Sequence, residues 1–452
     1  IVLPRYRRID PGTWHLKELP GKLVIPMGGA SYEEAYLFEG TGTGGVPVYF
    51  VENRRFFDRM EVYGSPGCEY GDNRERAIFF SRAVLETLKI VDFKADVIHG
   101  HEWQLGVLPA YLKTIYRHDV FFNHTASVYT IHNIAHQGSF SADTVDIAGF
   151  LAQDFVWDKM AFYGTFNFMK VGLVYADKIS TVSPSYAKEI QLRSGGFGLD
   201  TVVRARHDDL VGILNGIDYD SWNPLTDPYL SASYCATQPE GKRQCKSTLQ
   251  TLSGLPVDSE TLLVGMISRL DNQKGYDLLC AVLPQLIKKN IQIVILGRGD
   301  RLIEETLVRF SQMCPGKISV SIGFNEQRAH EIYAGADVFL MPSRYEPCGL
   351  GQMIAFSYGT VPLVTPVGGL KDTVTDFNEL NETGNGFVMS MVDIQSLMET
   401  FERALKVHAV KSSWNKIVSN TFATDHSWEK TVGSYELLYQ RAQEKHSQAS
   451  RH

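Results

Sequence analysis

The sequence is poor in cysteine and carries no excess of positive charge. Its six cysteines are scattered over 452 residues and none lies in a Cys-x-x-Cys pair, which excludes a disulfide framework and favours a reducing compartment. The 44 basic side chains are outnumbered by 51 acidic ones, giving a formal net charge of −7. Because no basic surplus is available to neutralise phosphates along a backbone, we expect no nucleic-acid partner.

Long apolar segments are also missing. The longest run without a charged residue extends from Pro347 to Leu370, and it contains five glycines. Such a run is typical of a buried helix, turn and strand in a soluble domain, so we expect no membrane partner. The composition is nevertheless 44% apolar and 11% aromatic, which is enough to build large cores. At roughly 100 to 200 residues per domain, the length predicts two or three domains.

Short apolar or β-branched runs alternate with segments of helical periodicity along most of the chain. This alternation predicts βαβ crossovers, an α/β fold class and a doubly wound parallel sheet in each half. In the second half we predict strands at Leu262–Ser268, Gln292–Gly297, Ile318–Gly323, Val338–Pro342 and Val361–Thr365, with helices near 276–289, 301–312, 326–333 and 350–358.

The polar stretch from Thr237 to Lys246 is the predicted junction between two Rossmann-like domains. We therefore predict domains over residues 1–250 and 251–425, followed by a C-terminal amphipathic helix within 426–452. Ligands of doubly wound sheets bind beyond the carboxyl ends of the strands, so two such domains predict an interdomain cleft.

Chemically capable side chains follow the predicted strands. His99, His101 and His132 lie at strand ends in the first half, whereas Arg269 and Lys274 follow the first strand of the second half. As an isolated pair, Arg269 and Lys274 are more often plain surface cations. Here they flank a strand end and a helix start, a geometry that directs two cations and backbone N–H groups at one point, as a diphosphate requires.

Other patterns have simpler interpretations. Gly297-Arg298-Gly299 lacks the third glycine of a dinucleotide fingerprint. His99 and His101 resemble a metal pair, but no cysteine cluster completes a zinc site and the His132–His136 segment lacks the Glu of His-Glu-x-x-His. We therefore expect no metal. Glycines at 42, 44 and 45 separate two strand-like runs and predict a hairpin loop.

The ordered motifs of the chain resemble ADP-glucose-dependent glycogen and starch synthases of the bacterial and plant type, which have the two-domain glycosyltransferase-B fold. The resemblance extends in order over nearly the whole chain. It rests on Leu3-Pro4-Arg5-Tyr6, Tyr70-Gly71-Asp72-Asn73 with Arg76, His132-Asn133-Ile134-Ala135-His136-Gln137-Gly138, Thr181-Val182-Ser183-Pro184, Leu214-Asn215-Gly216-Ile217-Asp218, Ser268-Arg269-Leu270, Gln273-Lys274-Gly275, Glu346-Pro347-Cys348-Gly349-Leu350 and Gly368-Gly369-Leu370.

This resemblance implies a retaining hexosyltransferase that moves glucose from ADP-glucose to the non-reducing end of an α-1,4-glucan without a metal or other cofactor. The implied partners are ADP-glucose or ADP and an α-1,4-glucan or maltooligosaccharide, in bacterial cytoplasm or plastid stroma. It also implies that the C-terminal helix crosses back to the first domain. Two alternatives stay open: a non-catalytic glucan-binding or regulatory relative, and a metal-dependent hydrolase built on His99 and His101.

The resemblance also implies roles for individual residues. The catalytic set is His132, Arg269, Lys274 and Glu346, of which Arg269 and Lys274 would stabilise the departing diphosphate. Phe324 would stack on adenine. The residues implied for nucleotide-sugar binding are Asn215, Arg269, Lys274, Phe324, Cys348, Gly349, Leu350, Gly351, Gly368 and Gly369, and those implied for acceptor binding are Asn73, Arg76, Glu102 and Trp103.

Three departures from the family pattern are visible. Glu102-Trp103-Gln104 stands where the family usually has Asp-Trp-His, and Gly351 replaces a frequent Thr. Family members also carry a strand, a Lys-x-Gly-Gly loop and a helix before the equivalent of Leu3-Pro4-Arg5-Tyr6. We expect the natural protein to have this segment as well.

Overall fold

The computed structural model describes residues 1–29, 31–65 and 68–449, and the chain divides into two compact units. Unit 1 comprises Ile1–Thr181, Ile190–Val211 and Tyr435–His452, and unit 2 comprises Val182–Glu189 and Gly212–Ser434. The predicted boundary between the two domains is residue 250. In the structure the chain enters unit 2 for a short segment at Val182 and enters it again at Gly212. The last three residues of the predicted 426–452 segment lie outside the described residues.

Unit 2, which the structure describes throughout, is built on a six-stranded sheet in the order β17-β16-β15-β18-β19-β20. Every neighbouring pair in it is parallel. The first five strands along the chain begin and end within one residue of the predicted positions, which confirms the predicted parallel sheet. The strands are β15 (Leu262–Ile267), β16 (Ile291–Gly297), β17 (Ile318–Ile322), β18 (Val338–Met341), β19 (Val361–Val364) and β20 (Phe387–Val388).

Helices connect these strands and pack on the sheet. The inner strands β15 and β16 are almost entirely buried because helices cover both faces, and they are apolar except for Gln292 of β16. Asp300, Asn325 and Asp393 each begin a helix by accepting a backbone N–H at the N-cap. The helices are α6 (Pro184–Glu189), α8 (Glu240–Leu252), α9 (Tyr276–Leu286), α10 (Arg301–Met313), α11 (Glu326–Gly335), α12 (Gly351–Ser357), α13 (Gly368–Thr373), α14 (Ile394–Ala409) and α15 (Lys411–Phe422).

Unit 1 contains a sheet in the order β14-β13-β9-β8, in which β8, β9 and β13 are parallel, and a second sheet in the order β1-β5-β4-β2, with β3 paired to β4. The antiparallel hairpin of β4 and β5 encloses Gly44 and Gly45, which confirms the predicted hairpin loop. The strands are β1 (Val2–Pro4), β2 (Lys17–Glu18), β3 (Leu23–Pro26), β4 (Tyr32–Thr41), β5 (Pro47–Glu52), β6 (Gly64–Ser65), β7 (Cys68–Glu69), β8 (Val97–His101), β9 (Ala126–Ile131), β10 (Ser139–Phe140), β11 (Ala161–Phe162), β12 (Thr165–Asn167), β13 (Lys178–Thr181) and β14 (Leu210–Gly212).

The long C-terminal helix α16 (Trp428–Ala449) has its first turns in unit 2 and its remainder in unit 1. Within unit 1 this helix buries Leu438 and Ala442, and its Lys445 donates a hydrogen bond to Asp209. The helices that lie wholly or partly in unit 1 are α1 (Arg54–Phe57), α2 (Asn73–Ile90), α3 (Leu108–Lys113), α4 (Thr144–Ala148), α5 (Phe168–Tyr175), α7 (Asp200–Ala205) and α16 (Trp428–Ala449).

In the described part of the chain, none of the helices combines the length and the apolar character that crossing a membrane would need.

The docking of α16 on unit 1 can be tested with two neighbouring leucines. Leu438 is 3% exposed whereas Leu437 is 46% exposed. Leu438→Ala should lower the free energy of unfolding by about 2–5 kcal/mol, because it removes a buried side chain and leaves a cavity. Leu437→Ala, the matched control, should stay within about 0.5 kcal/mol of wild type. Urea unfolding followed by circular dichroism measures both, and equal effects would contradict this packing.

Candidate functional site

The strand order of unit 2 reverses between β15 and β18, and such a switch point is where open α/β sheets bind ligands. The loop after β15 carries Lys274 and the loop after β18 carries Glu346. The Lys274 ammonium donates to both oxygens of the Glu346 carboxylate, at 2.9 and 2.7 Å. The Ser343 hydroxyl donates to the same carboxylate at 2.9 Å. Glu346 is only 5% exposed, so the two predicted residues form a largely buried, hydrogen-bonded ion pair.

Arg269 lies at the same switch point but in a different environment. Its side chain is 57% exposed and lies 3.3 Å from Asp271 on its own loop, while its guanidinium also donates to Gln273 at 3.0 Å. An exposed ion pair of this kind contributes about 0–1 kcal/mol. Arg269 can therefore change partners at little cost, whereas Lys274 is held in place by Glu346.

A cavity of about 180 Å³ lies between these two loops. Six of the predicted residues line this cavity. The rest of its lining is largely apolar and was not predicted, because an apolar residue near a strand end carries no sequence signal that it faces a ligand. The lining is Met266, Ile267, Ser268, Arg269, Lys274, Tyr333, Leu340, Met341, Ser343, Glu346, Gly349, Leu350 and Gly351.

The predicted glycines at 368 and 369 lie directly against the Glu346 segment. A Cβ on Gly368 would be 1.9 Å from the carbonyl oxygen of Glu346, and one on Gly369 would be 2.0 Å from that of Cys348. The Gly369 N–H donates to the Glu346 carbonyl at 3.0 Å. The Gly368 N–H donates to the Glu189 carboxylate of α6 at 2.8 Å. In this structure both amides are thus engaged by the protein, and glycine is required there by close backbone packing.

Three further residues predicted for nucleotide-sugar binding have distinct environments. Cys348 is buried, which raises the pKa of its thiol to about 12. The backbone N–H of Asn215 donates to that thiol, which places Asn215 beside the Glu346 loop. Phe324 follows β17 and is 91% exposed, so its ring is available for stacking. It does not line the cavity between the two loops.

In unit 1 the predicted residues Glu102, Trp103 and His132 lie just after the ends of β8 and β9. His101 ends β8, His132 follows β9, and their Nδ1 and Nε2 atoms lie 3.0 Å apart. His99 uses both ring nitrogens, one toward Thr130 at 2.5 Å and the other toward the Tyr439 hydroxyl at 3.1 Å. His99 therefore has no ring nitrogen left for the metal that a hydrolase would need. Across residues 1–29, 31–65 and 68–449, no three His, Cys, Asp or Glu side chains are arranged to hold a metal ion.

Glu102 supports the segment that carries His132. One oxygen of its carboxylate accepts the backbone N–H groups of His132 and Asn133, at 2.6 and 2.8 Å. Desolvation raises the pKa of Glu102 to about 7, although the two hydrogen bonds act in the opposite direction and lower it. The residue was predicted to bind the acceptor, but here its carboxylate is directed at its own protein, and the backbone has a strained φ of 63°.

The remaining acceptor candidates, Asn73, Arg76 and Trp103, are buried and line one small cavity of about 50 Å³. The Arg76 guanidinium donates to the carbonyls of Phe56 and Val62 and to the Asn73 side chain. Trp103 lies so close to Gly138 that a Cβ there would be 2.2 Å from its ring. These three side chains are packed inside unit 1. Their contact with an acceptor stays a prediction.

The environment of Glu102 generates a prediction about pH. The folded-state pKa of about 7 lies above the ordinary value of 4.5, so stability is highest with Glu102 protonated and falls as pH rises through about 7. Glu102→Gln keeps an acceptor for both N–H groups and does not titrate. Its free energy of unfolding relative to wild type should therefore rise from about pH 5 to about pH 8. Urea unfolding at each pH measures it, with Glu436→Gln on the exposed side of α16 as control. A constant difference would refute the assignment.

Comparison with known proteins agrees with this geometry. The family model for the starch synthase catalytic domain matches residues 1–205, and that for group 1 glycosyl transferases matches residues 253–419. A glycogen synthase from Elusimicrobium minutum is 42% identical over 443 residues, covering 98% of this chain and 91% of that protein. One from Thermotoga maritima is 41% identical over 449 residues, again covering 98% and 91%.

A solved structure shows the same architecture. The catalytic domain of starch synthase IV from Arabidopsis thaliana, bound to ADP and acarbose, has a TM-score of 0.90 and 31% sequence identity to this chain. The match covers 98% of this chain and 92% of the Arabidopsis domain. Family models, relatives and fold agree over almost the full length: the chain belongs to the starch and glycogen synthase family of glucosyltransferases.

Proposed function

We propose that the chain transfers glucose from ADP-glucose to the non-reducing end of an α-1,4-glucan with retention of configuration and without a metal. The observation that carries this proposal is the placement of Arg269, Lys274 and Glu346 around one cavity at the switch point of the unit 2 sheet. The ADP and acarbose bound to the Arabidopsis domain support a nucleotide donor and a glucan-type acceptor.

In the proposed reaction the bond between glucose C1 and the phosphate oxygen breaks, and its electron pair leaves with the diphosphate. Arg269 and Lys274 stabilise that negative charge, assisted by backbone N–H groups of the turn at Gly349. The acceptor hydroxyl attacks C1 from the face on which the diphosphate leaves, and its proton passes to a departing phosphate oxygen. No covalent enzyme intermediate is needed. Glu346 holds the glucose, and His132 contributes a neutral imidazole at the reacting sugar.

We further propose that the enzyme works in a reducing compartment such as bacterial cytoplasm or plastid stroma. All six cysteines carry free thiols, and Cys245 and Cys348 are buried. A set of cysteines without disulfides is typical of proteins in compartments that keep thiols reduced.

The charge of Lys274 provides the central test. Lys274→Ala should lower kcat for glucan extension from ADP-glucose by roughly 10²–10³-fold, since loss of one preorganised contact to developing charge costs about 2.7–4 kcal/mol of barrier. Lys288→Ala, which changes an exposed lysine of the same unit, is the control.

Lys274→Ala leaves Glu346 buried without its partner. Lys274→Gln, which keeps a hydrogen-bond donor, should therefore be assayed alongside, and circular dichroism should confirm that both variants fold. A change under about threefold in correctly folded Lys274→Ala would refute the role. ADP binding without any transfer by wild type would instead favour the non-catalytic relative.

The exposed ring of Phe324 provides a test of the nucleotide. Stacking of a base on an aromatic side chain contributes about 1–3 kcal/mol. Phe324→Ala should therefore raise KM for ADP-glucose about tenfold with little change in kcat, and should reduce the preference for ADP-glucose over UDP-glucose. Leu380→Ala, which alters an almost fully exposed side chain of the same unit, should change neither value. An unchanged KM in Phe324→Ala would show that adenine binds elsewhere.

A further inference from the structure

Three histidines form a continuous row in unit 1. His99 and His101 are two residues apart on β8, so their side chains project from the same face of the strand, and their ring centroids are 4.2 Å apart in a stacked arrangement. His132 follows the neighbouring strand β9, and its Nε2 lies 3.0 Å from Nδ1 of His101. The row therefore connects the predicted catalytic histidine to two histidines without an assigned role.

The end of the row farthest from His132 is fixed on both sides. The Nε2 of His99 is hydrogen-bonded to the Thr130 hydroxyl, which is itself 2.5 Å from the Ser180 hydroxyl. The Nδ1 of His99 is hydrogen-bonded to the hydroxyl of Tyr439, on the C-terminal helix α16. With both nitrogens bonded, the His99 ring cannot rotate without breaking a hydrogen bond. It therefore forms a rigid surface on which His101 stacks.

The contact between His101 and His132 requires one proton between two nitrogens. Desolvation lowers the pKa of His101 to about 4 and also lowers the pKa of His132, so both rings are neutral at neutral pH. In a neutral imidazole one nitrogen donates and the other accepts. The Nε2 of His132 is therefore committed to His101, whichever of the two carries the proton. The nitrogen that His132 can offer to a ligand is Nδ1.

The backbone and the ring of His132 are each held by a separate hydrogen bond. The backbone N–H of His132 donates to the Glu102 carboxylate, so the main chain of His132 is held independently of its ring. The ring itself is held by His101. Backbone and side chain of His132 thus have separate anchors on the same strand end, Glu102 for one and His101 for the other.

We propose that His101 is a positioning residue: it binds Nε2 of His132, which fixes the ring orientation and leaves Nδ1 for the substrate, while Tyr439 anchors the row through His99. The consequence for catalysis rests on the proposed function, in which His132 acts at the reacting sugar. The hydrogen bond between the two rings does not depend on that function and can be measured separately.

The direct measurement is nuclear magnetic resonance on protein labelled with 15N-histidine. A hydrogen bond between two ring nitrogens should give a scalar coupling between Nδ1 of His101 and Nε2 of His132. The coupling should disappear in His101→Asn and persist in His118→Asn, which changes an exposed histidine of the same unit. Absence of the coupling in wild type would overturn the proposal, whatever the enzyme's activity.

The activity measurement compares two substitutions of His101. Asn places a polar amide near the position of Nδ1 and can still hold His132, whereas Leu cannot. His101→Leu should lower kcat about tenfold with KM for ADP-glucose nearly unchanged, and His101→Asn should stay within about threefold of wild type. Tyr439→Phe, which removes only the distant hydroxyl, should have an effect smaller than that of His101→Leu.

The outcomes separate the inference from the proposed function. Equal activity of His101→Leu and wild type overturns positioning by His101. An equal loss in His101→Leu and His101→Asn, accompanied by a lower melting temperature in both, shows a purely structural role and also overturns it. If wild type transfers no glucose, the proposed function fails, and the coupling measurement alone decides whether His101 holds His132.

Discussion

The ion pair between Lys274 and Glu346 connects the two loops at which the strand order of unit 2 reverses. Neither charge could be buried alone, since desolvation of a single ion costs several kcal/mol. The pair therefore contributes little net stability, but it fixes the distance between the loops after β15 and β18. Gly368 and Gly369 pack against the backbone of the Glu346 loop. The position of this glycine segment therefore depends on the same ion pair.

This arrangement gives the two cations of the cavity different physical roles. The charge of Lys274 is largely neutralised by Glu346, and its position is fixed. Arg269 is mostly exposed, and its partners Asp271 and Gln273 bind it weakly, so it supplies the positive charge that can turn toward a ligand. A diphosphate entering the cavity would therefore meet one preorganised donor and one adaptable donor. Because Glu346 is an anion beside the same cavity, a diphosphate bound as proposed would also need backbone N–H donors.

The sequence predicts the sheet of unit 2 well because β15 is an apolar run and β16 is one interrupted only by Gln292, and short apolar runs that alternate with helical segments are typical of parallel strands buried on both faces. It also predicts Arg269, Lys274 and Glu346, since each follows such a run at a strand end. It does not predict the partner of Gly368, because Glu189 is far away along the chain and lies in a segment expected to belong to the first domain. Arg76 illustrates the same limit: a motif identifies the residue, but only the packing shows its guanidinium bound to backbone carbonyls.

The predicted site residues of the two units differ in whether their side chains are charged. Unit 2 keeps fixed charges at its switch point, whereas desolvation in unit 1 lowers the pKa of His99 to about 3 and that of His101 to about 4, and raises the pKa of Glu102 to about 7. The histidine row is therefore uncharged at neutral pH. In glycosyl transfer, negative charge develops on the departing diphosphate and positive charge on the sugar. Cations serve the first and would oppose the second, so a neutral imidazole is the more suitable group to place at a sugar that becomes positive.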